Sequence, residues 1–243
     1  MGNWILGLLA NVLAAPIAFA LGYLYRQREW MVRRLRGLGE FIIFSPRGET
    51  LVVCGSQAAI GDVNRIIRAG DVAAMLEVSL EALNYNSSSR VTVATVEEVD
   101  SSATSKRDCI FVGGPYVNSF SKAALRALEA QGKELVKFDA YTVVVAGYEP
   151  STPVLDGTQI VTDFGVIYTF PNPADSKKRV TIICGSLRVG TLAAARTLSS
   201  REFKRSIRKV GRSAHHCTLI RADVAERDIA TSRIVHSLTR NLE

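Results

Sequence analysis

Three glycine-containing turns carry the residues best suited to chemistry, and each follows a short apolar run. Gly55-Ser56-Gln57 follows Leu51-Val52-Val53-Cys54, Gly113-Gly114-Pro115 follows residues 108–112, and Gly185-Ser186 follows residues 179–184. Continuous apolar runs of this length predict strands buried on both faces, as in a parallel sheet covered by helices. The carboxyl ends of parallel strands share one edge. The three turns therefore converge on one crevice, where following helices offer unpaired N–H groups to an anion. The residues expected to hold a ligand there are Gly55, Ser56, Gln57, Gly113, Gly114, Asn118, Gly185, Ser186, Arg188, Gly190 and Thr191. Taken singly, each turn equally suits an ordinary strand-to-helix connection. Their convergence is what points to a ligand.

Gly185-x4-Gly190-Thr191 has the spacing of a phosphate-binding loop and the right place between strand and helix, but no lysine precedes Thr191. The charge that reaches the β and γ phosphates is missing, so nucleoside triphosphate hydrolysis is not expected. Arg188, inside the loop, supplies a cation for a simpler phosphate. Asp163 and Asn118 are candidates for holding a ribose or a base edge, with a solvated turn as the alternative for each; Asp163 is also the candidate acid or base if the ligand is cleaved.

Other constellations lead away from catalysis. Asp163-Phe164-Gly165 lacks the accompanying kinase motifs, and no Gly-x-Ser-x-Gly elbow is present. His215 and His216 are adjacent, so on a strand they point to opposite faces and do not share an ion. No catalytic set, metal or cofactor is called for. The cationic stretch 201–212 holds one aromatic, Phe203, too few for stacking single-stranded nucleic acid, which leaves anionic lipid, a phosphorylated ligand or a solvated face.

The elements that must position these residues follow in order. Apolar runs at 41–44 and 51–54 predict strands, 61–83 has helical periodicity, 90–96 alternates, 108–112 is a buried strand and 121–131 is helical again. Residues 135–173 carry Pro150, Pro153 and Gly157 between short apolar runs, which predicts antiparallel strands inserted before the fold resumes at 179–203. One further run spans 217–224. The fold class expected is α/β, with a largely parallel sheet and an inserted antiparallel hairpin region.

Charge and hydropathy organise the beginning of the chain. From Trp4 to Tyr25, twenty-two residues pass without a charged side chain. As a helix they reach roughly 33 Å, enough to cross a bilayer's hydrocarbon core. Residues 26–36 are net +4, residues 37–176 net −7 and residues 177–243 net +10. With no cation before the span and Arg26, Arg28, Arg33, Arg34 and Arg36 after it, the positive flank stays cytoplasmic. The expected organisation is a transmembrane helix at 4–25, a basic juxtamembrane segment at 26–40 facing anionic headgroups, and one ligand-binding domain at 41–243 in the cytosol. Dispersed Cys54, Cys109, Cys184 and Cys217 are expected as buried thiols. Gly7, Asn11, Ala18 and Gly22 place small residues and one amide on a single helix face, suiting a homo-oligomer.

The ordered set Asp108 to Asn118 (DCIFVGGPYVN), Asp163-x-Gly165-x-Ile167, Asn172-Pro173 and Gly185-x4-Gly190-Thr191 resembles a recurrent bacterial domain family with GGPxxN, D[YF]GxI, NP and Gx4GT motifs. That resemblance covers roughly residues 50–200 and implies a Rossmann-like fold without a settled activity. By architecture the chain is also similar to membrane-tethered nucleotide-sensing effectors of bacterial defence, which implies a sensor of a nucleotide or other phosphate ligand that signals to its membrane helix. A hydrolase of glycosidic or phosphodiester bonds in nucleotides is the alternative, and an anchored scaffold without ligand a third.

Overall fold

In a computed structural model, which describes residues 43–44, 49–58, 65–66, 68–85, 90–208, 210–226 and 228–241, the apolar run after Glu49 forms the centre of a parallel layer. In chain order the elements are β1 (Glu49–Cys54), β2 (Gln57–Ala58), β3 (Arg65–Ile66), α1 (Ala69–Tyr85), β4 (Arg90–Thr95), α2 (Ser101–Ser105), β5 (Asp108–Val112) and α3 (Ser119–Ala130). There follow β6 (Val136–Asp139), β7 (Thr142–Val145), β8 (Val154–Asp156), β9 (Gln159–Asn172), β10 (Asp175–Gly185), α4 (Arg188–Thr197), α5 (Arg201–Ile207), β11 (His215–Ala225) and β12 (Asp228–Arg240). The expected segments at 4–25, 26–36 and 45–48 lie outside the described residues. Among the described residues no helix is long and apolar enough to cross a membrane.

The main sheet runs β12-β11-β9-β10-β5-β1-β4, with β8 also paired to β9. β10, β5, β1 and β4 are mutually parallel, whereas β10–β9, β9–β11 and β11–β12 are antiparallel. The sheet is therefore mixed, and its antiparallel share is larger than expected. Residues 166–170, read as part of an insertion, lie on β9 in the middle of the sheet. They are buried on both faces like a parallel strand, and continuous burial does not encode direction. The true insertion is the β6–β7 hairpin with β8.

Alternation along the strands divides the core into two layers. Val52, Ile110, Ile167, Ile183 and Ile220 face α1, α4 and α5 through Ala74, Val78, Ala82, Ala194 and Phe203. Leu51, Phe111, Tyr168, Ile182 and Leu219 face α3 and the β6–β7 hairpin through Leu125, Leu128, Val136 and Val143. Fully burying each such side chain contributes roughly 1.5–3 kcal/mol. The four cysteines are buried thiols on these strands. The helix at 61–83 begins later than its periodicity suggested, at Ala69, because the β2–β3 ribbon occupies part of the connection.

Candidate functional site

The three glycine turns do share one edge. Gly55 N–H donates to Val112 O at 2.9 Å, and Gly113 N–H to Ile183 O at 2.9 Å, so β1, β5 and β10 end side by side. The turn after β5 then crosses directly over β1. A Cβ on Gly55 would stand 2.7 Å from Val117 O, and Gly113 has φ +102°, a conformation open to glycine. Asn118 locks this crossing. Its Oδ1 accepts the N–H groups of Phe120 at 3.0 Å and Ser121 at 3.1 Å, capping α3, and its Nδ2 donates to Val53 O and Val112 O, each at 3.1 Å. Fully buried and bonded at both ends, Asn118 ties β1 to β5 instead of presenting an amide to the crevice.

The phosphate-like turn is filled from within. Asp163, on β9 and fully buried, accepts Phe164 N–H at 2.8 Å and Leu187 N–H at 3.1 Å on Oδ1, and Gly190 N–H at 2.6 Å on Oδ2. These include the helix N-terminal donors that a phosphate would engage. Burial pushes the Asp163 carboxyl above its ordinary range, opposed by the N–H groups of Gly190, Phe164, Leu187 and Val189. Close packing completes the enclosure: a Cβ on Gly190 would lie 2.1 Å from Phe164 O, one on Gly165 2.2 Å from Gly190 O, and one on Gly185 2.4 Å from Thr191 N. Thr191 is itself buried, and its hydroxyl donates to Leu187 O at 3.4 Å. Gly185, Gly190 and Thr191 thus fit helix to sheet, and Asp163 is enclosed away from solvent.

What remains at the edge is a smaller set. Ser56 Oγ donates to Glu97 Oε1, joining the turn after β1 to the exposed carboxylate just past β4. Gly114 has only the Cys184 Cβ, at 3.7 Å, near its missing side chain. The Ser186 hydroxyl is shielded from solvent and has no hydrogen-bond partner among the described residues, while its N–H donates to Phe164 O at 2.8 Å. A Cβ on Gly70 would meet both Cβ and carbonyl oxygen of Arg188 at 2.8 Å, so the N-termini of α1 and α4 abut. Arg68 and Arg188, both exposed, flank that meeting point. Asp71, buried in the first turn of α1, has its carboxyl raised by burial, against the pull of Arg68 and the Thr191 hydrogen bond. Gln57 lies on β2, paired with Ile66 of β3.

Arg68, Asp71 and Glu97 were not singled out from sequence. The first two were hidden inside a helix placed too early, and Glu97 follows a strand that carried no glycine signal. Far from this edge, Arg179 is buried at the other end of the strands. It donates to Arg212 O, to Ala214 O at 3.0 Å and to Thr169 Oγ1 at 3.2 Å, and burial brings its pKa down to about 10. His215 bonds Tyr168 Oη at 3.2 Å, and His216 bonds Thr239 and Thr218 at 2.7 and 2.9 Å. Burial lowers both imidazoles to about 4. Within the basic stretch 201–212, Phe203 is core and Lys204 holds Glu81 of α1 at 2.7 Å. Among the described residues no group of His, Cys, Asp and Glu is arranged to hold a metal.

Fold and edge together define a mixed α/β domain whose sheet is covered on both faces. No protein-family model matches the chain, and no curated protein matches it.

Proposed function

We propose that the chain is a membrane-anchored sensor or effector whose Rossmann-like domain binds a nucleotide or other phosphate-bearing ligand. The residues that serve this reading are Ser56, Gly113, Gly114, Ser186 and Arg188, joined by Arg68. Residues 4–25 anchor the chain in the cytoplasmic membrane, residues 26–36 meet anionic headgroups, and small-residue contacts between spans assemble a homo-oligomer that carries the signal, as in a defence effector. The observation that carries the reading is the contact of Gly70 with Arg188, which brings the start of α1 against the start of α4, where the chain carries two exposed arginines, Arg68 and Arg188. Because Asp163 occupies the α4 amides, the anion is held by side chains and the α1 terminus, not by a glycine-loop cradle.

The test is a thermal-shift panel on the full chain in detergent, with mono-, di- and cyclic nucleotides. At least one ligand is expected to raise the melting temperature, and Arg188→Ala to abolish that rise while leaving the ligand-free transition unchanged. No shift with any of them would sink the reading. A hydrolase would need an accessible carboxylate, and Glu97, exposed and bonded to Ser56 in the turn after β1, is a candidate. Product analysis separates the two, since a sensor leaves its ligand intact.

A further inference from the structure

The sheet's β4 edge is suited to a second copy of itself. In a parallel pair, alternate residues of a strand bond the neighbour and the others point away. Val96 N–H donates to Cys54 O at 3.2 Å, which fixes the even-numbered residues of β4 toward β1 and turns the N–H and C=O of Val91, Val93 and Thr95 outward. The outward N–H of Thr95 is closed by Glu98 Oε2 at 2.8 Å and its carbonyl accepts Glu98 N–H at 3.2 Å, which leaves Val91 and Val93 as the open residues of the edge. Among the described residues no strand lies beside Val91 and Val93 on that side. An edge without a partner among the described residues is a template for another strand.

Two further features choose the partner. Val93 is 45% exposed on the face that α1 covers, and α1 carries Leu76, Leu80 and Leu83 at 56%, 57% and 50% exposure, opposite its buried Ala74, Val78 and Ala82. The carboxylates beside that leucine stripe are already matched, Glu77 by Arg196 at 3.3 Å and Glu81 by Lys204 at 2.7 Å. Charge along the strand is asymmetric: Arg90, with a side chain 85% exposed, stands at its start, and Glu97 and Glu98 stand just beyond its end.

We infer that two copies of the chain pair antiparallel through β4 about a two-fold axis at Val93, with α1 lying beside α1 of the second copy. Val93 then exchanges both backbone hydrogen bonds with its own counterpart. Val91 falls opposite Thr95, whose carbonyl keeps one lone pair for the Val91 N–H beside that of Glu98. Arg90 falls opposite Val96 and so beside the second copy's two carboxylates, at both ends of the interface. One surface satisfies itself twice, which is the requirement of an isologous contact. The inference stands apart from ligand binding, which the nucleotide thermal shift reads separately.

The test is cross-linking of full-length Val93→Cys in membranes, with a short bifunctional thiol reagent. The four native cysteines are buried and give little background. A covalent dimer is expected, well above the yield from Tyr141→Cys, an exposed position on the inserted hairpin that reports random encounter and span-driven association. Equal yields from the two positions would overturn the inference. Added to Val93→Cys, Arg90→Glu should cut the dimer about tenfold, because like charges then face one another. Adding Glu98→Arg as well should restore it, and failure of that rescue in protein that melts like the parent would overturn the register.

Discussion

Asp163 holds Gly190 by its N–H at 2.6 Å, so a carboxylate of the chain itself sits at the N-terminus of α4 where an anionic ligand would otherwise bind. A charge-assisted hydrogen bond inside the core is worth about 1.5–3 kcal/mol. The same carboxylate also restrains Leu187, fixing the entry to the helix. Asp163→Ala should therefore destabilise the domain by about 2–4 kcal/mol, read as a lower denaturation midpoint. A variant with unchanged stability would show that the amides find water or another anion unaided.

Gly190 and Gly211 offer a paired test of close approach. A methyl on Gly190 meets Phe164 O at 2.1 Å, whereas one on Gly211 meets nothing within 4 Å. Gly190→Ala is expected to cost about 3 kcal/mol or more and Gly211→Ala to stay within about 0.5 kcal/mol of the parent. Equal effects in urea titrations would contradict the packing of α4 on β9.

Removal of Asn118 loosens two elements at once. Asn118→Ala leaves Val53 O and Val112 O without their side-chain donor and α3 without its cap. The expected cost is about 2–4 kcal/mol. Asn118→Asp keeps the cap but turns the donors into an acceptor facing two carbonyls. It should rescue little, measured by the same titration.

Acid should weaken the fold through His215 and His216. Their folded pKa values, about 4, lie below the unfolded 6.5 because burial disfavours the charged ring. Their contribution is complete above pH 6.5 and is lost as pH falls through 4, amounting to at most about 3 kcal/mol each. Asp71 and Asp163, raised by burial, act in the opposite sense: what they contribute is present below the unfolded carboxyl value and lost as pH rises through their folded values. Replacing both histidines with Gln should flatten the stability slope between pH 6.5 and 4, followed by chemical denaturation at each pH.

Much of the parallel half was legible because β1, β5 and β10 pair a continuous apolar run with a terminal glycine, and the chemistry of both signals is local. Their convergence on one edge followed from strand direction alone. The antiparallel half was less legible. Val166 to Phe170 is as apolar as any parallel strand, and only its partners, β10 and β11, reveal the reversal. The role of Asp163 was hidden for a related reason, since it bonds a helix start 24 residues further on, a distance no local pattern encodes. Asn118 illustrates the converse. Its type and position after the double glycine suit a ligand contact as well as a cap, both use the same amide, and burial decides between them.

The place of β10 at the junction of the two halves sets an order of assembly. β9–β10 and β11–β12 are hairpins, whose pairings join neighbouring stretches of chain. β5 gains its second partner only when residues 180–183 arrive. Loops of that length close slowly compared with hairpins. β1, β4 and β5 precede β10 in the chain, so the strand that completes the parallel layer is also one arm of an antiparallel ribbon made of neighbouring chain.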